Sequence, residues 1–302
     1  MNIYSKILIP LDGSKLAEVA LPYAERLAAK FDADLILLGV QGTVVGESII
    51  PASQLETIKT NTLRYLEQKA SMLREKGIKA YAEIRIDDNA SGIIDYARTN
   101  NVDQIVIATH GRSGLKRWVL GSTADRVLRG TEKPILLIRV KEGSPDVAEK
   151  DLFRRVTVPL DGSEEAEKII PHLERLAARF QMEVILLQVI TETTFLEPIA
   201  YGTAYRYVPV AEEVIDLRKK NAAAYLDTIK ERLEALGIVV RTMVVLGDAG
   251  SGIIDTAQQT DSGLVAMTTH GRSGIKRWAY GSVADKVLHA GTTPLLLVRT
   301  VP

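Results

Sequence analysis

Short apolar segments alternate with longer amphipathic segments along the first half of the chain. The segments "KILIP" (6–10) and "LILLGV" (35–40) are rich in branched aliphatic residues, which is typical of strands buried on both faces. Between them, apolar residues recur at helical spacing over 14–31. The alternation continues to about residue 140, and it predicts a parallel sheet with helices on both faces.

The elements that follow are predicted from the same two periodicities. Apolar runs mark strands, and three-to-four-residue spacing marks helices. The predicted elements are a helix over 53–76, a strand over 79–86, a helix from Ser91, a strand at "QIVIA" (104–108), a helix from Ser122 and a strand at "PILLIR" (134–139).

A proline interrupts the first helical segment in each half of the chain. Pro22 and Pro171 occupy corresponding places. Because a proline inside a helix removes a hydrogen bond and costs about 3 kcal/mol, each position predicts a kink, and a second helix that starts there is the alternative.

The whole pattern is written twice. Residues 6–40 correspond to 155–189, and "THGRSG" occurs at both 109–114 and 269–274. Two copies are too few for a solenoid, so two similar domains packed as a pseudo-dimer are expected. The expected boundaries are 1–142 for the first domain, 143–152 for a polar linker and 153–302 for the second domain.

The second copy is longer than the first. Asp12 corresponds to Asp161 and Gly111 to Gly271, so the offset rises from 149 to 160 and the second copy has 11 extra residues. They fall within 190–211. This insertion is a candidate lid or partner surface, and a mobile loop is the alternative.

Composition limits the classes of partner. Lys and Arg together number 38, and so do Asp and Glu, so no net charge recruits nucleic acid or an anionic membrane. Cysteine is absent, which excludes disulfides and thiolate metal sites. No apolar run reaches the roughly 18 residues of a membrane span, and no targeting segment is recognised. A cytoplasmic protein is expected.

Two loops in each half leave strand ends with unusual chemistry. The first is "PLDGS" at 10–14 and 159–163. The second is "ATHGRSG" at 108–114, matched by "TTHGRSG" at 268–274. In an open parallel sheet, ligands bind outside the carboxyl ends of the strands, where the strand order reverses. These loops are therefore the candidate ligand site.

A Gly-Ser pair follows the second loop and opens a helix in each half. The first turn of a helix has unpaired N–H groups and a partial positive charge, so Gly121–Ser122 and Gly281–Ser282 suit a phosphate. The serines are also expected to cap these helices, since "STAD" and "SVAD" resemble a capping box.

Each remaining loop residue has a structural and a functional interpretation. Asp12 and Asp161 either cap the next helix or bind a ribose or a metal-bound phosphate. Gly111 and Gly271 are turn glycines or points of close ligand approach. The basic side chains that follow them, Arg112 and Arg272, reach a phosphate or stay in solvent.

Several known catalytic motifs are missing from the sequence. It has no G-x-x-x-x-G-K-[ST] loop, no G-x-G-x-x-G after the first strand and no G-x-S-x-G elbow. An adenylyl-transferring or phosphate-cleaving enzyme is therefore the least favoured of the functions considered.

At these residues the chain resembles a tandem universal stress protein. The likeness includes "ILIPLDGS" and "VTVPLDGS" and the family's spacing of Gly, two residues, Gly, nine residues, then Gly with Ser or Thr. The first glycine of that pattern is Ala108 in one half and Thr268 in the other. A side chain there crowds the position where the family's ribose packs.

The resemblance implies a five-stranded parallel sheet of order 3-2-1-4-5 in each half, with ATP as the cofactor and Mg²⁺ within reach of Asp12 and Asp161. It also implies pairing of the last strands, "ILLIR" (135–139) and "LLLVR" (295–299), within one chain or in a homodimer. With the adjacent loop residues, the candidate nucleotide-binding residues are Pro10, Asp12, Val40, Ala108, Thr109, Gly111, Arg112, Gly121, Ser122 and Thr123 in the first half, and Pro159, Asp161, Val189, Thr268, Thr269, Gly271, Arg272, Gly281, Ser282 and Val283 in the second.

The expected function is that of a non-enzymatic stress or signalling module that binds ATP and hydrolyses it slowly or not at all. The alternative is a nucleotide-independent member that works through protein contacts, which the side chains of Ala108 and Thr268 favour.

Overall fold

The computed structural model describes residues 4–45, 48–49, 51–111, 120–141, 151–191, 195–198, 205–208, 212–269 and 280–300. The chain divides into two compact units. The first consists mainly of Met1–Leu152 with Leu288–Pro302, and the second mainly of Phe153–Gly274 with Tyr280–Val287.

The first half of the chain alternates strands and helices as its apolar pattern predicts. Its elements are β1 (Lys6–Pro10), α1 (Lys15–Glu18), α2 (Leu21–Phe31), β2 (Asp34–Gln41), β3 (Val44–Val45), β4 (Ser48–Ile49), α3 (Ala52–Glu75), β5 (Ala80–Ile86), α4 (Asn89–Thr99), β6 (Gln104–Gly111), α5 (Ser122–Gly130) and β7 (Ile135–Lys141).

The second half repeats this order. Its elements are β8 (Arg155–Pro159), α6 (Glu164–Glu167), α7 (Ile170–Phe180), β9 (Glu183–Ile190), β10 (Phe195–Pro198), β11 (Tyr205–Val208), α8 (Glu212–Glu234), β12 (Val239–Leu246), α9 (Ala249–Gln259), β13 (Leu264–Thr268), α10 (Ser282–Ala290) and β14 (Leu295–Val298). None of the helices in the described ranges combines the length and the apolar character needed to cross a bilayer.

Parallel strands form the core of each unit. In the first unit the order is β5-β2-β1-β6-β7, which is the expected 3-2-1-4-5 arrangement. In the second unit β12-β9-β8-β13 repeats the first four places of that order. The α/β fold is confirmed, and the strand order reverses next to β1 and β8.

The first unit carries one further strand. There β7 pairs antiparallel with β14, with Leu136 opposite Leu296. All four residues of β14 are buried. These are the two segments whose pairing the family resemblance implies.

Two equivalent arginines bind carbonyl groups at the ends of helices. Arg139 in β7 is only 4% exposed and donates to the carbonyl oxygens of Leu288, at 2.6 Å, and Gly291, at the end of α10. Arg299 is half-buried and donates to the carbonyl oxygen of Arg129, near the end of α5, at 2.7 Å. The last carbonyls of a helix have no partner within the helix, so these arginines cap it. Burial lowers the pKa of Arg139 to about 9.

The two prolines mark helix starts and not kinks. In the first half α1 ends at Glu18 and α2 begins at Leu21, so Pro22 lies in the first turn of α2; Pro171 has the same place in α7. An N–H in the first turn has no partner within the helix, so a proline loses nothing there.

The insertion in the second copy lengthens a hairpin that both copies have. Two-residue strands, β3 and β4, pair in the first copy. In the second copy β10 and β11 pair over four residues, with Phe195 opposite Val208. Of the predicted linker, 143–152, the structure describes Asp151 and Leu152. Residues 142–150 lie outside the described residues.

Candidate functional site

A cavity of about 400 Å³ lies in the first unit, where the strand order reverses. Its walls come from the loop after β1, the ends of β2 and β6, and the starts of α4 and α5. The predicted residues that line it are Pro10, Asp12, Val40, Ala108, Thr109, Gly121, Ser122 and Thr123.

The second unit has a corresponding cavity of about 300 Å³. The predicted residues that line it are Pro159, Asp161, Val189, Thr268, Thr269, Gly281, Ser282 and Val283. The structure thus brings together, in each unit, residues that are more than 100 positions apart in the sequence.

Four further predicted residues lie at or after the ends of β6 and β13. Gly111 is the last residue of β6, opposite Lys141. Arg112, Gly271 and Arg272 lie outside the described residues.

The "PLDGS" loop has the same geometry in both units. In the first, Asp12 Oδ1 accepts a hydrogen bond from Ser14 N at 2.9 Å, and Ser14 Oγ accepts one from Ala17 N at 3.2 Å. The N-cap of α1 is therefore the serine and not the aspartate, and Asp12 instead braces the turn. Asp161 and Ser163 repeat these contacts in the second unit.

The glycine of this loop is required by its backbone. Gly13 has a φ of +83° and Gly162 a φ of +81°. Such left-handed conformations are costly for residues other than glycine, because these residues carry a Cβ atom. The tight turn leaves Asp12 and Asp161 at the cavity wall.

The start of α5 corrects one prediction. Gly121, not Ser122, is the N-cap residue, and it has no side chain with which to cap the helix. Ser122 is the first helical residue, because Asp125 N donates to Gly121 O at 2.9 Å; Asp285 N and Gly281 O do the same in α10. Ser122 is not at the N-cap position because Gly121, the residue before it, has the extended conformation of an N-cap, with φ −58° and ψ 146°.

The start of α5, whose N-cap is a glycine, faces a cavity that also holds a hydroxyl group without a partner among the described residues. Thr109 is 5% exposed, and its Oγ1 makes no hydrogen bond to the described residues. A buried hydroxyl left without a partner costs about 1–3 kcal/mol. The residues present therefore fit a ligand with anionic and hydrogen-bonding groups, because such a ligand satisfies both the helix N–H groups and Thr109.

One wall of the cavity was missed in the sequence. Asn89 and Ile93 of α4 line the first cavity, and Ala249 and Ile253 of α9 line the second. These residues follow β5 and β12, outside the two loops that the sequence marks. The repeated "SGII" at 91–94 and 251–254 was the available signal.

The glycine of that repeat lets the helix approach the strand. A Cβ atom at Gly92 would lie 2.7 Å from Cγ1 of Val40, and one at Gly252 would lie 3.0 Å from Cγ2 of Val189. Only a glycine brings these helices so close to the two cavity-lining valines.

Ion pairs join the two helices that line each cavity. Arg126 of α5 lies 2.8 Å from the carboxylate of Asp88, the N-cap of α4, and Lys286 of α10 lies 2.7 Å from Asp248. The hydrogen bond from Arg126 holds the pKa of Asp88 below its usual value, and that from Lys286 lowers the pKa of Asp248 to about 2.

Acidic side chains are sparse around both cavities. Within the described residues, no group of three or more His, Asp or Glu side chains is placed to hold a metal ion. Asp12 and Asp161 are the acidic residues in the described linings of the two cavities. Each cavity therefore offers one carboxylate to a cation that enters with a ligand.

Known proteins resemble the chain in sequence. The chain is 26% identical over 301 residues to a universal stress protein of Mycolicibacterium smegmatis. The aligned region covers 97% of this chain and 96% of that protein. It is 32% identical over 142 residues to a universal stress protein of Methanocaldococcus jannaschii. That aligned region covers 46% of this chain and 84% of the relative.

Solved structures resemble it in fold. A universal stress protein from Archaeoglobus fulgidus DSM 4304 has a TM-score of 0.72 at 19% identity, with 98% of each chain covered. The sequence model of the universal stress protein family matches residues 3–139 and 152–299. Since these two matches take in nearly all of both halves, the chain belongs to the universal stress protein family and carries the family's domain twice.

Proposed function

We propose that each cavity binds an adenine nucleotide, ATP, and that the protein acts as a nucleotide-dependent stress-response or signalling module. The observation that carries the proposal is that, in the first cavity, a helix start with a glycine N-cap lies together with the buried hydroxyl of Thr109, which has no hydrogen-bond partner among the described residues. Both groups suit a phosphorylated ligand. Family membership supports ATP as that ligand, through the resemblance given above.

Different lining residues would bind different parts of the nucleotide. In the first cavity Gly121, Ser122 and Thr123 would hold the phosphates, with Gly111 at the end of β6 and Arg112 directly after it. Asp12 would accept a hydrogen bond from the ribose and reach a nucleotide-bound Mg²⁺, and the backbone of Val40 would flank the base. Gly281, Ser282, Val283, Asp161 and Val189 would do the same in the second cavity. We propose that the two domains span 1–142 and 153–302, with 143–152 as the linker.

Little or no hydrolysis is proposed. The described lining of the first cavity contains one titratable side chain, Asp12, and its Oδ1 already accepts a hydrogen bond from Ser14 N. A general base must contact the water that it activates, and this lining presents no other residue for that role. Bound ATP would instead change which partner the protein binds.

A second candidate function has its own observation. Thr268 lines the second cavity at the position where the family pattern has glycine, and that cavity is the smaller one. A nucleotide-independent member that works through protein contacts would not need that space.

Titration of nucleotide-free protein with fluorescent ATP tests the proposal. Gly121→Val is the informative variant, because a Cβ atom there meets no atom within 4 Å and the helix has room for it. The added side chain should obstruct the first cavity and remove one of two binding events, and the double variant with Gly281→Val should remove both. Circular dichroism checks that each variant is folded.

Two results would reject the proposal. One is wild-type protein that binds no ATP at millimolar concentration. The other is a folded double variant that binds ATP as the wild type does. Either would favour the nucleotide-independent function.

A further inference from the structure

A larger cavity, of about 750 Å³, adjoins the 300 Å³ cavity in the second unit. The two share Asp161, Val189, Ala249 and Val283 as walls. The remaining wall comes from β9 and α8, which contribute Gln188, Arg218 and Asn221. We call this space the α8 cavity.

The α8 cavity depends on residues that differ between the two copies. The helices α3 and α8 correspond, since Tyr65 donates to Glu18 and Tyr225 donates to Glu167 at the equivalent positions. On this alignment Arg218 replaces Ile58. The second copy therefore has a guanidinium group where the first has an aliphatic side chain.

A paired exchange makes room for a second polar group. In the first unit a Cβ atom at Gly39 would lie 2.8 Å from Cγ2 of Thr62, so the α3 side chain fills the space beside β2. In the second unit Gln188 replaces Gly39 and Ala222 replaces Thr62. The shorter side chain on the helix leaves that space to the glutamine amide.

The amide oxygen of Gln188 lacks a hydrogen-bond partner among the described residues. This atom, Oε1, is buried. A buried acceptor without a donor is destabilising, so a ligand that donates a hydrogen bond to it gains affinity. Arg218 is half-buried in the same lining and suits a phosphate, which guanidinium groups bind with paired hydrogen bonds.

We propose that the α8 cavity binds a small phosphorylated, hydroxyl-bearing molecule of the sugar phosphate class. Its phosphate group pairs with Arg218, and a hydroxyl group donates to Gln188. Arg218 and Asp161 are the charged side chains of the described lining. The carboxylate of Asp161 accepts from a hydroxyl and repels a phosphate, so it orients the ligand with its phosphate toward Arg218. This site does not require a nucleotide in the neighbouring cavity.

Isothermal titration of the full chain with ribose 5-phosphate tests the proposal. Ribose and inorganic phosphate serve as separate probes of the two groups. Ribose 5-phosphate should bind more tightly than either, and Arg218→Gln should weaken it by about tenfold or more, because the charged hydrogen bonds are lost. Lys220→Gln is the matched control, since Lys220 is exposed on the same helix and outside the lining.

A second variant restores the first-copy arrangement. Gln188→Gly with Ala222→Thr should close the polar pocket and reduce binding of ribose 5-phosphate, while Gly281→Val should leave that binding in place. Sensitivity to Gly281→Val alone would assign the sugar phosphate to the neighbouring cavity and overturn the proposal. No binding at millimolar concentration, equal binding of inorganic phosphate, or unchanged affinity in Arg218→Gln would also overturn it.

Discussion

The two cavities share a frame and differ in their walls. In both units an aspartate braces a turn, a left-handed glycine closes it and a serine caps the next helix. In the walls, Ala108 and Asn89 of the first cavity correspond to Thr268 and Ala249 of the second. The first cavity is about 400 Å³, whereas the second is about 300 Å³ and adjoins the α8 cavity.

This difference shows which part of a duplicated site tolerates change. The frame depends on backbone geometry that few residue types can adopt, so both copies keep "DGS". The walls only have to fill space and satisfy hydrogen bonds, so coordinated exchanges such as Gly39 and Thr62 for Gln188 and Ala222 alter a cavity without disturbing the sheet. The two copies of "THGRSG" are identical, yet the two cavities near them differ in their walls.

The largest expected effect concerns the two capping arginines. Arg139→Ala should reduce the free energy of unfolding by about 3 kcal/mol, because it leaves two buried helix-end carbonyls without a donor. Arg299→Ala should cost clearly less, since Arg299 is half-buried and water can replace it. Urea unfolding followed by circular dichroism measures both. Equal losses would show that burial does not distinguish the equivalent residues.

The next effect exchanges the residues at the first position of the glycine pattern. Thr268→Ala should tighten ATP binding to the second cavity, and Ala108→Thr should weaken binding to the first, each by about tenfold as expected for fitting a small group into a pocket. ATP binding to each cavity is measured by titration while the opposite cavity is obstructed, the first by Gly121→Val or the second by Gly281→Val. If both affinities stay unchanged, the side chain at this position does not control the site.

A smaller effect lies in the core of the first unit. Gln104 is fully buried, and neither atom of its amide bonds to the described residues; its counterpart is Leu264. Gln104→Leu should therefore raise the free energy of unfolding by about 1 kcal/mol. The measurement is again urea unfolding. A loss of stability would mean that the amide has a partner beyond the described residues.

The smallest effect is a pH dependence. The hydrogen bond from Lys286 lowers the pKa of Asp248 to about 2, below its unfolded value of 3.8. A depressed carboxyl pKa stabilises the fold above the unfolded pKa, and that contribution disappears as the pH falls through the folded pKa. Asp248→Asn should thus lower the melting temperature slightly at pH 6, and the difference from wild type should shrink as the pH falls from 4 toward 2. The effect is small because the pair is exposed to solvent. A difference that stays constant with pH would exclude this ion pair as its source.

Much of the fold was accessible from the sequence. Apolar runs and helical spacing predicted the strands and helices of the first half, and the repeat carried them to the second. The strand order came from the family resemblance and not from periodicity, since local patterns do not say which strands are neighbours. The sequence favoured a kink at Pro22 over a second helix, and the backbone shows that a second helix starts there instead.

The candidate site was predicted less completely. The loops around Asp12 and Gly121 were recognised because their residue types carry a chemical meaning. The cap of α5 was assigned to the wrong residue, because Gly121 and Ser122 both suit the N-cap position. The wall formed by α4 was missed, since Asn89 lies far along the chain from either loop.

The sequence alone determined the features that act over a few residues: the duplicated frame, the turn at "DGS", the apolar strands and the helix start that follows each glycine loop. Only the tertiary structure decided which groups meet across the chain. Arg139 reaches a carbonyl 149 residues away, and Oε1 of Gln188 is buried without a hydrogen-bond partner among the described residues. Turn and helix propensities are local energies, whereas cavities, caps from distant side chains and unpaired polar atoms arise only when the packed chain places those groups together.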